Sequence, residues 1–194
     1  MHFEGEFTVP GAPDEVMLRF TDVERMARCV PGAQIDGRAE DGSYTGGMLV
    51  AFGPKRIKFR GSVACEFDMA ARSGLMVGRG AADLRAARIA IRTRFTLHEA
   101  EGGSADNPLT LVKIVSEADL QGVLAEFART GGVALAKVMM QDFARRAAEE
   151  FARPRSESDD EGAQPVQAHR LVWDAVKTQA SSLAGRLKSG RGGE

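Results

Sequence analysis

Chemistry by this chain alone would need histidines, cysteines or carboxylates brought together, and their spacing argues against that. The three histidines, His2, His98 and His169, are scattered from the N-terminus to the last segment. No pattern pairs two of them as metal ligands, so each reads as a surface residue and no metal site is expected. Cys29 and Cys65 lie far apart. They form neither a disulfide framework nor a zinc spacing, and they fit a reducing cytoplasm. Cys65 falls in phase with Val63 and Phe67 on an apolar face, which predicts a buried, inert thiol. Cys29 precedes the Pro31-Gly32 turn, where it either packs or lines a cavity mouth. There is no Gly-x-Ser-x-Gly elbow and no phosphate loop. Gly78-Arg79-Gly80 opens like a dinucleotide fingerprint but continues Ala81-Ala82-Asp83 inside a run of strands, which predicts a strand irregularity. No catalytic residues are assigned. Lys58, Arg60, Arg92 and Arg94 alternate on strands, as a solvated sheet surface or as a docking face for an acidic partner.

The bulk composition narrows the class. The chain has 194 residues, 43% hydrophobic and 27% charged, which suits a soluble globular domain with an appendage. A net charge of -1 disfavours nucleic acid as a partner. The N-terminus lacks a basic start followed by an apolar run, and no stretch approaches the ~20 apolar residues of a membrane span. With 10 Phe and 8 Met against one Trp and one Tyr, the apolar residues are deformable. They could fill a core or line an adaptable cavity.

The elements follow from periodicity. Phe3 to Val9 alternates as a half-buried strand. Pro13 opens a short helix, and Thr21-Asp22-Val23-Glu24 reads as a capping box for a second one, ended by Pro31-Gly32. Strands follow at 34–39, 44–52, 57–67, 75–81, 89–97 and 109–120, the first two joined by the turn Glu40-Asp41-Gly42-Ser43. From Gly122 to about Ala152 the period is helical, with Leu124, Phe127, Gly131, Leu135, Val138, Met139, Phe143 and Ala147 as one stripe. Gly131-Gly132 inside it should cost roughly 1 kcal/mol per Gly relative to Ala. The result is an α+β domain over residues 1–153: a curved antiparallel sheet of about seven strands around a long C-terminal helix, with two short helices after strand one. Residues 154–168 read as an acidic linker, with one base and four acids. Residues 169–194, with five bases and two acids, read as a basic amphipathic tail.

This layout resembles the helix-grip arrangement of the START-like superfamily. Phe3-Glu4-Gly5-Glu6-Phe7-Thr8-Val9-Pro10, Cys29-Val30-Pro31-Gly32-Ala33, Tyr44-Thr45-Gly46-Gly47, Gly53-Pro54, Phe59-Arg60-Gly61-Ser62-Val63 and Ala144-Arg145-Arg146-Ala147-Ala148 are similar to stretches of the carbon monoxide dehydrogenase CoxG family. The run Arg79-Gly80-Ala81-Ala82-Asp83-Leu84-Arg85-Ala86-Ala87-Arg88 departs from that family's Gly/Ser-rich segment. The resemblance implies a non-enzymatic accessory of a molybdenum-containing carbon monoxide dehydrogenase or related hydroxylase, acting at the inner face of the cell membrane. It also implies a cavity for an apolar small molecule.

The residues that would line such a cavity are Phe20, Met26, Met48, Phe52, Phe59, Phe95, Phe127, Leu135 and Met139, with a quinone or lipid as the expected occupant in place of any catalytic cofactor. The tail carries Leu171, Val172, Trp173, Val176, Leu183 and Leu187 beside Lys177, Arg186 and Lys188. A narrow apolar stripe with basic flanks fits an anionic membrane surface, and fits packing on protein as well. The competing reading of the whole chain is a cyclase or aromatase-type enzyme on a bulky apolar substrate, which would need a polar acid/base pair inside the pocket.

Overall fold

The computed structural model describes residues 1–52, 55–82 and 86–153; the side chains of Phe52, Lys55, Phe127, Ala128 and Thr130 fall outside that description. The expected linker at 154–168 and tail at 169–194 lie outside the described residues, so the account concerns the first compact unit, Met1–Arg155.

Seven strands form one sheet: β1 (His2–Pro10), β2 (Ala33–Arg38), β3 (Tyr44–Phe52), β4 (Lys55–Asp68), β5 (Ser73–Ala82), β6 (Arg88–Glu99) and β7 (Leu109–Gln121). Their order is β1-β7-β6-β5-β4-β3-β2, every pair antiparallel. The alternation predicted for these segments is what divides the sheet into two faces. On β6, Arg88, Ala90, Arg92 and Arg94 are exposed while Ile89, Ile91 and Phe95 turn inward. The ladder runs without interruption through Gly78-Arg79-Gly80, so the strand irregularity expected there is absent. The register shift in the ladders lies instead between Ile35 and Gly37 on β2.

Glycines shape the concave face. Gly46, Gly61 and Gly80 are partners in one row across β3, β4 and β5. A Cβ on Gly46 would collide with the Gln34 carbonyl oxygen, and one on Gly61 with the Arg79 carbonyl oxygen. Only a residue without a side chain lets the strands bend this sharply, so the row acts as a crease along which the sheet curls.

Helix α1 (Pro13–Thr21) starts with Pro at its first turn, where the missing N–H is no loss. Helix α2 (Val23–Cys29) is capped by Asp22, whose carboxylate accepts from the Arg25 amide. The cap is therefore one residue later than the Thr21 expected from the sequence, and the Thr21 hydroxyl donates to the Leu18 carbonyl instead. The single helix expected from Gly122 to Ala152 is two: α3 (Val123–Thr130) and α4 (Gly132–Phe151). They part at Gly131, whose φ of -154° and ψ of -3° are not helical. Two adjacent glycines make that break cheap. The predicted stripe splits with it: Leu124 is buried, while Val138 is 61% exposed.

Two apolar clusters hold the unit together. The first joins α1 and α2 to the lower sheet and the end of α4 through Val9, Val16, Met17, Phe20, Met26, Cys29, Phe95, Leu97, Val112, Ile114, Ala147 and Phe151. Its rings are in contact: Phe20 lies 4.8 Å from Phe95 and stacks on Phe151 at 5.9 Å. Arg19 covers this end, its guanidinium 5.3 Å over the Phe151 ring and donating to the Phe151 carbonyl and to Glu15. The second cluster is Val50, Phe59, Ala87 and Leu124, with Met48, Ile57, Ala82, Ile89, Leu120 and Leu135 packed on it.

Candidate functional site

The space between the two clusters is the candidate site. Helix α4 spans it, because Leu135 near its start belongs to the second cluster and Ala147 and Phe151 near its end belong to the first. Along the way α4 rests on the edge strand β1. Met140 lies over Gly5, where an added Cβ would come within 3.3 Å of its Cγ, and Phe143 meets Phe7 edge-on at 5.6 Å.

Beneath that stretch, two cross-strand rows of the sheet belong mostly to neither cluster. One runs Tyr44, Val63, Gly78, Ile91 and Ala118 across β3 to β7. The next runs Cys65, Met76, Thr93, Ser116 and Phe3 across β4 to β1. Val63, Cys65, Ile91, Thr93 and Ser116 are half-buried here, between core residues such as Phe95 and Phe59 that are 1% and 8% exposed. The domain thus has a waist, a concave apolar strip neither filled like a core nor fully open.

The polar atoms of the waist are few. Thr93 and Ser116 face each other on β6 and β7, and their hydroxyls hydrogen-bond to one another. Burial raises the Cys65 thiol to about 11, so at neutral pH it is protonated and a poor nucleophile. Burial also raises the Tyr44 phenol, although the Arg38 guanidinium, 5.3 Å over its ring, opposes this. Cys29 is raised for the same reason, within the first cluster. Both cysteines are free. None of the side chains in the two rows is ionised at neutral pH.

The nine residues expected to line a cavity divide into three sets. Phe20, Met26 and Phe95 sit in the first cluster; Met48, Phe59 and Leu135 sit in or against the second. Met139 is half-buried and belongs to neither, one turn of α4 beyond Leu135. The side chains of Phe52 and Phe127 fall outside the description. The set therefore flanks the waist from both ends more than it lines it. The waist's own residues, Val63, Ile91, Thr93 and Ser116, are not among the nine. A signal for two of them is present in the sequence: Thr93 and Ser116 are polar residues in phase with apolar ones, at odds with the alternation around them.

Two open surface clefts lie elsewhere. One of about 350 Å³ runs between α2 and β2, lined by residues including Glu24, Arg28, Gln34 and Asp36. The other, of about 570 Å³, involves Arg79, Ala90, Arg92, Glu117 and Asp119 on the outer face. None of the nine residues lines either. His2 pairs with Glu4 and His98 with Thr96, both at exposed positions, and His169 is outside the described residues. Among the described residues no group of three or more His, Cys, Asp or Glu could hold a metal ion. No helix among them is long and apolar enough to cross a membrane. The tail residues Leu171, Val172, Trp173, Val176, Lys177, Leu183, Arg186, Leu187 and Lys188 are outside the described residues.

An open seven-stranded antiparallel sheet with a C-terminal helix laid across its concave side is the helix-grip class of α+β fold. Solved structures share it: a conserved protein from Geobacillus kaustophilus superposes with a TM-score of 0.66 at 15% identity, over 78% of this chain and 95% of that one. TTHA0849 from Thermus thermophilus gives 0.53 at 10% identity, over 78% and 97%. The Zhui aromatase/cyclase from Streptomyces sp. R1128 gives 0.53 at 14% identity, over 81% and 97%. At these identities the likeness is one of fold. A comparison with curated proteins finds no match. The family is settled by sequence: residues 5–153 match the carbon monoxide dehydrogenase CoxG family, and the chain belongs to it.

Proposed function

We propose that this protein is a non-enzymatic accessory that holds an apolar small molecule, of the quinone or lipid class, in the waist between sheet and α4. The observation that carries this reading is the half-buried apolar strip between two well-packed clusters. A chain selected only for stability would gain by closing it, since each buried CH₂ is worth about 0.8 kcal/mol. The uncharged rows suit a neutral ligand, because a charged one would lose its hydration without compensation. Family membership supports the wider role, in which the protein recruits a molybdenum dehydrogenase to the inner face of the cell membrane. The basic, amphipathic composition of residues 169–194 supports a peripheral membrane contact.

The test is extraction and reconstitution. Protein purified without detergent is extracted with organic solvent, and the extract is assayed for quinones and lipids. Absence of both, together with failure to bind either on addition, would sink the ligand reading. Flotation with vesicles containing anionic lipid, comparing the full chain with one ended at Arg153, tests the membrane contact. Equal flotation of the two would remove the tail from the account.

A second reading is a ring-forming enzyme, supported by the fold shared with an aromatase/cyclase. It requires an acid/base pair in the site. The two rows of the waist supply hydroxyls and a protonated thiol, which favours the carrier.

A further inference from the structure

We propose that the Thr93–Ser116 hydroxyl pair is an anchor that donates a hydrogen bond to an acceptor oxygen, a ketone, quinone or ester carbonyl, of an otherwise apolar ligand. This rests on the reading of the waist as a ligand site and specifies its chemistry.

The argument is a count of protons. Two hydroxyls carry two donor protons. Their mutual hydrogen bond uses one, and among the described residues neither hydroxyl has a further partner. One O–H is therefore left to donate. It sits on the concave face with Met76 beside Thr93 and Phe3 beside Ser116. In the adjacent row, Ile91 and Ala118 face each other across the same two strands. In such surroundings an O–H donor attracts an acceptor more strongly than it would in water. A hydrocarbon would leave it unmet, at a cost. A carboxylate would satisfy it but would bring a charge that nothing in the two rows balances. The class selected is a neutral molecule with an apolar body and a carbonyl oxygen. The mutual bond also fixes both rotamers, so the anchor is oriented before the ligand arrives.

The pair is specified by register. Thr93 and Ser116 are direct partners on β6 and β7, and slipping either strand by one residue would turn its hydroxyl to the outer face.

The experiment uses the full chain and two fluorescent probes of similar girth. One is the ketone 6-propionyl-2-(dimethylamino)naphthalene, whose emission moves to the red when its carbonyl accepts a hydrogen bond. The other is the hydrocarbon 1,6-diphenylhexatriene, which has no acceptor. Both are titrated into the wild type and into Thr93→Val, Ser116→Ala and the double variant. The double variant is expected to raise the Kd for the ketone about tenfold, the value of one hydrogen bond, and to shift its bound emission to the blue. The Kd for the hydrocarbon should change less than twofold, which also reports that the variants fold. Equal loss of both probes, or an unchanged Kd and emission for the ketone, would overturn the anchor. A wild type that binds neither probe would overturn the ligand reading itself. Val63→Phe, which fills the waist from β4, separates the two cases further. If both probes still bind it as they bind the wild type, they sit elsewhere and the waist is not the site.

Discussion

Cys65 shows how one buried atom ties stability to pH. Its thiol titrates at about 11 in the folded chain because burial disfavours the thiolate, against an ordinary value of 9.0. Two consequences follow. Well below pH 9 the thiolate is about 100-fold scarcer than in an unfolded chain, so alkylation of the native thiol by iodoacetamide should be slowed by about that factor. At pH 10 the folded state holds the proton that the unfolded state has lost, so stability is complete below pH 9 and falls as pH rises towards 11. Urea midpoints between pH 8 and pH 10.5 should fall more steeply for the wild type than for Cys65→Ala; parallel curves would contradict the assignment. The alternation of Val63, Cys65 and Phe67 was enough to foresee a buried thiol. It could not show that Cys65 borders a hydroxyl pair, because that adjacency depends on the register of four strands.

At the scale of elements, two joints carry different weight. Arg25 of α2 and Glu150 of α4 pair at 2.5 Å with side chains 12% and 21% exposed. Arg72 pairs with Asp14 of α1 at 2.7 Å on the surface, where the hydrogen bonds from Arg72 lower the Asp14 carboxyl. Water screens the second pair far more than the first. Glu150→Ala should cost about 2 kcal/mol in chemical denaturation and Asp14→Ala little, with only the second effect fading in 0.5 M salt. The glycine crease is the other element-scale device. Gly61→Ala would push a methyl against the Arg79 carbonyl, which the backbone of β5 cannot yield without leaving its ladder. The expected loss is about 3 kcal/mol in the same assay. Strands and short helices were legible in the sequence because burial on one face imposes a period. The break at Gly131 was visible only as a weak spot, since whether a glycine pair interrupts a helix is decided by what the two halves pack against. Here Leu124 and Leu135 join one cluster while the rest of α4 leaves for another.

For the molecule as a whole, the architecture followed from the order of elements, and the division of its interior did not. The nine expected lining residues are individually apolar, as periodicity requires of an inward face. Their separation into two clusters comes from the three-dimensional course of α4, which lies along β1 and leaves the middle of the sheet less covered. Hydropathy along the chain contains no trace of that course. Polar residues that fall on an apolar phase, as Thr93 and Ser116 do, are the better guide to where such a fold leaves its interior unfilled.

The sheet also never closes on itself: β1 and β2 are its two ends. An open end is a template on which another polypeptide could add a strand, and the first end lies alongside α4. The second is guarded by its own residues. With only six residues, a register shift at Ile35 to Gly37, and the charges of Asp36 and Arg38, β2 offers a short, kinked and hydrated rim to an incoming chain. Asp36 is further tied to Arg60 of β4 across the outer surface. Colloidal behaviour in a crowded solution therefore rests on these few residues, which take no part in the core or the waist: they let an open sheet remain dispersed.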